Sequence, residues 1–250
     1  MKTRVKTPEE IISIRKSGQI LAEILAILAD ATKPGITTQQ IDNLAVKELK
    51  ARSAKAAFLG YSGFPASICI SVNDEIVHGI PSSRVIKEGD LVGLDFGVTY
   101  EGMITDSAVT VPVGKISDEA KNLLDYTQRA LLAGISVIKD GVRVGDISHA
   151  IGATLEEGGL KVIETLGGHG VGHQVHEEPY ISNFGKKGSG EVLHAGMTIA
   201  LEPIASLGTY ETHLAKDDWT YLTSDKSLSA QFEHTILITK NGSEILTKLH

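Results

Sequence analysis

The chain has 250 residues, 42% hydrophobic and 22% charged, and its 24 Lys and Arg against 31 Asp and Glu give a net charge of −7. That balance permits a sizeable buried core and excludes a disordered chain, while the acidity excludes the basic footprint that nucleic acid requires. A single cysteine, Cys69, rules out an intrachain disulfide and suits a reducing compartment.

The first element announces itself. Thr7-Pro8-Glu9-Glu10 is a capping box with Pro at the first helical position. Ile14, Leu21, Leu25 and Leu28 then share one helical face, and Lys33-Pro34-Gly35 ends the helix. Thr37 and Gln40 cap a second helix near residues 38–52, with Ile41, Leu44, Ala45 and Leu49 turned inward. Residues 67–72 and 91–98 are rich in β-branched side chains and read as strands. A third strand over 103–113 forms a hairpin with the second through Tyr100-Glu101-Gly102. Ser117 caps a helix running to about Lys139, and another follows Gly145 and stops at Gly158-Gly159. The last third reads as strands over 197–204, 229–239 and 244–247. No apolar signal core follows Met1-Lys2-Thr3-Arg4, and the apolar stretch 20–29 is too short to span a bilayer. A cytoplasmic protein with no membrane attachment is expected.

The second half echoes the first. Lys33-Pro-Gly-Ile recurs as Lys139-Asp-Gly-Val, 106 residues on, and Gly89…Leu94-Asp95 recurs as Gly196…Leu201-Glu202, 107 residues on. His78-Gly-Ile-Pro81 recurs as His176-Glu-Glu-Pro179. The expected architecture is α+β: one domain of two pseudo-symmetric halves, about 1–112 and 113–250. Their antiparallel strands join into one sheet with helices on one face. A site at the junction would draw side chains from both halves.

Four acids lie inside apolar strands: Asp95, Asp106, Glu202 and Glu233. One such acid is ordinarily a cap or half of an ion pair. Four, with no matching set of Lys or Arg in adjacent strands, need another source of positive charge, and two divalent cations would balance them. His169 lies in Gly167-Gly-His-Gly-Val-Gly172, which lacks the Lys-Ser/Thr ending of a phosphate loop. His78 and His176 each precede a proline-marked turn, and the repeat would place them on either side of such a centre. His173, His194, His213 and His234 read as structural and His250 as a tail residue. Cys69 reads as a small buried hydrophobe, since nothing marks an activating partner.

Taken together, Val72-Asn-Asp-Glu-Ile-Val-His-Gly-Ile-Pro81, Leu94-Asp-Phe-Gly97, Thr105-Asp106, Gly168-His-Gly-Val-Gly-His-Gln-Val-His-Glu-Glu-Pro179, Leu201-Glu-Pro203 and Ser227-Leu-Ser-Ala-Gln-Phe-Glu-His-Thr235 resemble the motifs of the type I methionine aminopeptidases. The resemblance runs from about Thr7 to the end. It implies the pita-bread fold, two divalent metal ions (Co, Mn, Fe or Zn) and release of the initiator methionine from nascent chains. It puts Asp95, Asp106, His169, Glu202 and Glu233 on the metal-ligand positions. Glu202 would also move a proton, while His78 and His176 would contact substrate and intermediate. Tyr61, Phe64, Cys69 and Trp219 fall on the positions that line the methionine pocket. A monomer with transient ribosome contact is the expected setting.

Departures from the family pattern are local. Phe58 and Val175 stand where some members carry Cys and Phe, His173 takes a place often basic, and Asp217-Asp218-Trp219 replaces Asp-Gly-Trp. Only 31 residues separate Glu202 from Glu233, too few for the helical insertion of type II enzymes. The alternatives are an X-Pro aminopeptidase or prolidase-like peptidase, which usually carries an extra N-terminal domain, and a non-catalytic binding module of the same fold, which usually lacks several ligands.

Overall fold

The computed structural model describes residues 2–249; Met1 and the tail residue His250 lie outside them. Helix α1 (Pro8–Ala31) starts as its capping box dictates. Thr7 Oγ1 accepts the Glu10 N–H at 3.3 Å, and the Glu10 carboxylate accepts the Thr7 N–H at 2.8 Å. Ile14, Leu21 and Leu28 on its inner face are wholly buried. Helix α2 (Thr38–Ala51) has the same box from Thr37 and Gln40. There follow β1 (Lys55–Ala56), β2 (Cys69–Val72), β3 (Glu75–Val77), β4 (Leu91–Tyr100) and β5 (Met103–Pro112). The β4–β5 hairpin turns through Glu101 and Gly102, both at positive φ, as a tight two-residue turn demands.

Helix α3 (Asp118–Ser136) starts at its Ser117 cap and ends three residues short of the expected Lys139, where the chain bends into the turn at Gly141 (φ +83°). Helix α4 (Val144–Glu157) begins one residue before Gly145, because the Asp146 carboxylate accepts the Arg143 N–H and fixes the first turn. The remaining elements are β6 (Lys161–Val162), β7 (Gly167–Gly170), β8 (Glu177–Ser182), β9 (Thr198–Leu201), β10 (Ile204–Ser206), β11 (Thr212–Leu214), β12 (Tyr221–Thr223), β13 (Ser229–Gln231), β14 (His234–Thr239) and β15 (Gly242–Ile245). Two strands expected to be continuous are therefore broken, one at Glu202-Pro203 and the other at Phe232-Glu233. Pro203 has no N–H for a ladder, and the backbone of Glu233 pairs with Ala108 of the first half instead.

The paired strands run antiparallel. Their order is β1-β4-β2, with β5 also on β4, in one sheet, and β15-β14-β9-β7-β8 in another. Two three-stranded sheets, β13-β10-β6 and β11-β12-β3, complete the set. The single sheet expected from sequence is thus divided into segments. The two largest meet at the Ala108–Glu233 bridge, whose N–H···O distances are 2.9 and 3.3 Å. The repeat is visible in detail. Gly35 (φ +96°) and Gly141 (φ +83°) turn the chain between paired helices, and Gly89 (φ +89°) matches Gly196 (φ +88°). Both α2 and α4 have 14 residues.

Each half buries its own core. Helices α1 and α2 pack on Ile70 and Val72 of β2 and on Val92, Leu94, Phe96 and Val98 of β4. Helices α3 and α4 pack on Ile199, Leu201, Ile236 and Ile238. Because strand side chains alternate, Cys69 and Asp95 are left on the face away from α1 and α2. Among the described residues no helix is long and apolar enough to cross a membrane.

Candidate metal centre

All five acid and histidine positions converge on that face, at the junction of the halves. Asp95 on β4 pairs across the sheet with Cys69 and Ala108, and Asp106 on β5 lies opposite Gly97. The backbone at Asp106 is fixed by the second half: its N–H donates to Thr235 Oγ1 and its carbonyl accepts from the same hydroxyl, both at 2.8 Å. Glu233 is fixed by the first half through the Ala108 bridge and the Ser107 hydroxyl, which donates to its carbonyl at 2.7 Å. His169 comes from β7, and Glu202 from the break between β9 and β10. Each half thus fixes the backbone that carries one of the other's acids.

The chemistry of this donor set fits a divalent metal. His169 Nδ1 lies 2.9 Å from the Gly170 carbonyl. A carbonyl cannot donate, so Nδ1 carries the proton and Nε2 presents a lone pair. That lone pair faces Asp106 Oδ2 at 4.0 Å, Glu202 Oε1 at 3.9 Å and Glu233 Oε1 at 4.0 Å. Burial pushes the His169 pKa down to about 3, so the ring supplies no cation to its neighbours. Burial raises Asp95 to about 7 and drives Asp106, Glu202 and Glu233 well above the carboxylate range, with mutual repulsion adding to it in those three. Asp95 Oδ1, Asp106 Oδ1 and Glu233 Oε1 are shut off from solvent with no hydrogen-bond donor. Lone pairs and unpartnered carboxylate oxygens converging in this way are stabilised by a cation. Donor atoms of Asp106, His169 and Glu233 all lie within 4.8 Å of one another.

A narrow cavity leads to these acids. Tyr61, Phe64, Cys69 and Trp219 all line it, together with Phe58. Phe64 meets Trp219 edge to face, with ring centroids 5.1 Å apart. Val175 joins Phe58, Phe64 and Cys69 in one apolar cluster, so the two departures from the family pattern fill the same wall. Asp218 adopts φ +60°, the conformation a glycine would take there, and Asp217 accepts the N–H groups of Trp219 and Thr220 to close the turn. The Cys69 thiol is raised well above its ordinary pKa, by burial first and then by the acids, which keeps it protonated and suits the wall it helps to form.

His78 and His176 both line this cavity and a second, open cleft beside it. His78 holds a left-handed backbone (φ +60°), and burial lowers its pKa to about 4. The ring of His176 lies 4.3 Å from that of His169, centroid to centroid, and the protein around it lowers its pKa as well. Gln231 is the site residue that sequence reasoning passed over. Its Nε2 donates to Asp95 Oδ2 at 3.3 Å and Glu202 Oε2 at 3.1 Å, tying acids from the two halves together. A buried amide two residues before Glu233 in an apolar strand was its only signal. Of the histidines read as structural, His173 contacts Glu10 and Arg4, His194 pairs with Asp140, and His234 contacts Thr247.

The sequence matches the model of metallopeptidase family M24 over residues 13–240. It is 48% identical to the methionine aminopeptidase of Aquifex aeolicus, over all of both chains. The crystal structure of the Thermotoga maritima methionine aminopeptidase superposes with a TM-score of 0.97 at 44% identity, covering 99% of this chain and 100% of that one. A Pyrococcus furiosus prolidase shares the fold with a TM-score of 0.78 at 24% identity; the match covers 98% of this chain and 66% of the prolidase.

Proposed function

Because this chain belongs to metallopeptidase family M24, we propose that it releases the N-terminal methionine from peptides and nascent proteins whose second residue is small. The observation that carries this reading is the apolar cavity walled by Tyr61, Phe64, Cys69 and Trp219 and ending on the acids. An unbranched thioether suits such a wall through sulfur–aromatic contact, and the bond next to it would lie over the acids.

Family membership implies divalent metal. Asp95, Asp106, His169, Glu202 and Glu233 would hold two ions, which supply Lewis-acid polarisation and a nucleophile at neutral pH when bound. Four carboxylates and one imidazole suit Mn, Fe, Co or Zn. His176 donates a hydrogen bond to the scissile carbonyl oxygen as negative charge develops there. His78, which lines the same cavity, holds the substrate backbone. Glu202 carries a proton toward the leaving amine. Since ligands come from both halves, the chain acts as one catalytic unit, and one copy carries every proposed ligand. The setting proposed is a cytoplasmic monomer in transient contact with ribosomes, where new N-termini emerge.

A competition assay with Met-Ala, Met-Gly, Leu-Ala and Ala-Pro peptides tests this. Met-Ala and Met-Gly should be cleaved, with kcat/KM well above that for Leu-Ala, because a branch in an apolar pocket shifts discrimination by about 1–3 kcal/mol. Equal rates on Met-Ala and Leu-Ala would defeat the methionine assignment, and preferential cleavage before proline would transfer the chain to the X-Pro peptidases.

A further inference from the structure

Tyr61 does more than line the cavity. Its hydroxyl lies 3.0 Å from Nδ1 of His176, and the two rings are 5.4 Å apart at 47°. The residues are 115 positions apart and belong to opposite halves. The loop that offers the hydroxyl is built to hold still. Gly60 (φ +82°) and Gly63 (φ +90°) allow it to fold on itself, with Gly60 N–H donating to the Phe64 carbonyl and Phe64 N–H to the Tyr61 carbonyl, both at 2.9 Å. Phe58 and Phe64 on either side are 8% and 3% exposed, so the loop is anchored at both ends while Tyr61 stays at the mouth.

A neutral imidazole has one N–H and one lone pair, and its partner decides which nitrogen carries which. A phenol is the stronger acid of the two partners, so the favoured arrangement has Tyr61 O–H donating to Nδ1. The ring's single proton then sits on Nε2. That form is a donor to a developing oxyanion, whereas the opposite tautomer would turn a lone pair toward it. We propose that Tyr61 is a positioning residue that fixes His176 as the Nε2–H tautomer and thereby as a hydrogen-bond donor in the reaction. The proposal rests on the peptidase reading given above.

Tyr61→Phe removes the hydroxyl and keeps the ring, so the cavity wall is preserved. Its kcat on Met-Ala should fall roughly tenfold, the size of one lost ordinary hydrogen bond, with KM and melting temperature unchanged. In a His176→Ala background the same substitution should cost nothing further, because Tyr61 then has no ring to orient. The tautomer is read independently of turnover by two-bond and three-bond ¹H–¹⁵N correlations in ¹⁵N-histidine-labelled protein freed of metal. Wild type should show His176 protonated at Nε2, and Tyr61→Phe should show the Nδ1–H form gaining population. An Nδ1–H tautomer in the wild type, an unchanged kcat in Tyr61→Phe, or an undiminished effect of that substitution in the His176→Ala background would overturn the proposal. Wild-type failure on Met-Ala would instead count against the peptidase reading, and the tautomer measurement would still decide the assignment of His176.

Discussion

Asp106 and His176 line one cavity and ask different things of it. The backbone of Asp106 is held by Thr235, so replacing its carboxylate leaves the strand in place and subtracts one donor from the centre. Asp106→Ala is therefore expected to lower metal content, measured by elemental analysis after gel filtration, and kcat together. His176→Ala should keep the metal and lose kcat by roughly 10²–10³, as when an oxyanion-hole donor is removed. A His176→Ala protein that emerges without metal would make His176 a ligand. At this scale the sequence was informative wherever a residue was chemically out of place. Acids in apolar strands and a histidine among glycines could be picked out because burial without a partner is costly. Gln231 could not, since a neutral amide in a strand raises no such conflict, and the Tyr61–His176 contact spans 115 positions of chain.

The elements carry the site through close backbone approach. Gly168 on β7 leaves no room for a side chain, because a Cβ there would stand 2.3 Å from the carbonyl oxygen of Ala200 on β9. Backbone cannot swing aside, so Gly168→Ala must displace β7, and the next residue is His169. The expected result is a lower melting temperature together with a disproportionate loss of metal affinity by titration. Gly159→Ala is the control: it strains a left-handed turn (φ +71°) with open space around it and lies away from the centre. It should cost about 1–2 kcal/mol of stability and leave metal affinity alone. Equal effects on metal affinity would mean that β7 does not position His169. The helices were legible to within a few residues because capping boxes and apolar faces are local signals. The breaks at Glu202-Pro203 and Phe232-Glu233 were not, since both segments stay β-rich throughout. What interrupts them is the demand of the site: a strand that must leave its ladder to turn a carboxylate into the junction.

Over the whole molecule, the metal-free protein stores the repulsion of its own acids, and pH reveals it. The folded pKa of Asp95 is raised to about 7 from an ordinary 3.8, and those of Asp106, Glu202 and Glu233 are raised further from the carboxylate range, by burial first. Unfolding returns all four to values near 4, so above that pH the folded state holds more protons than the unfolded one. Stability must then fall as pH rises through the folded pKa values. The buried histidines act with the opposite sign: His169 and His78 are lowered to about 3 and about 4 from 6.5, so they cost nothing at alkaline pH and oppose folding as pH drops through the unfolded value of 6.5. The two effects separate above about pH 7.5, a unit past the ordinary imidazole pKa, where these histidines are neutral in both states and the carboxylates set the slope. Chelated protein should therefore melt at progressively lower temperature from about pH 7.5 to about pH 8.5. Added Mn²⁺ or Co²⁺ should raise the melting temperature most at the alkaline end, because there fewer protons must leave before the metal can bind. Scanning calorimetry with and without chelator across that range measures both slopes. A chelated protein whose melting temperature stays level or rises would mean that the four carboxylates are ionised in the folded state and are offset by some charge other than a metal. The electrostatic argument for the centre would then fail as a whole.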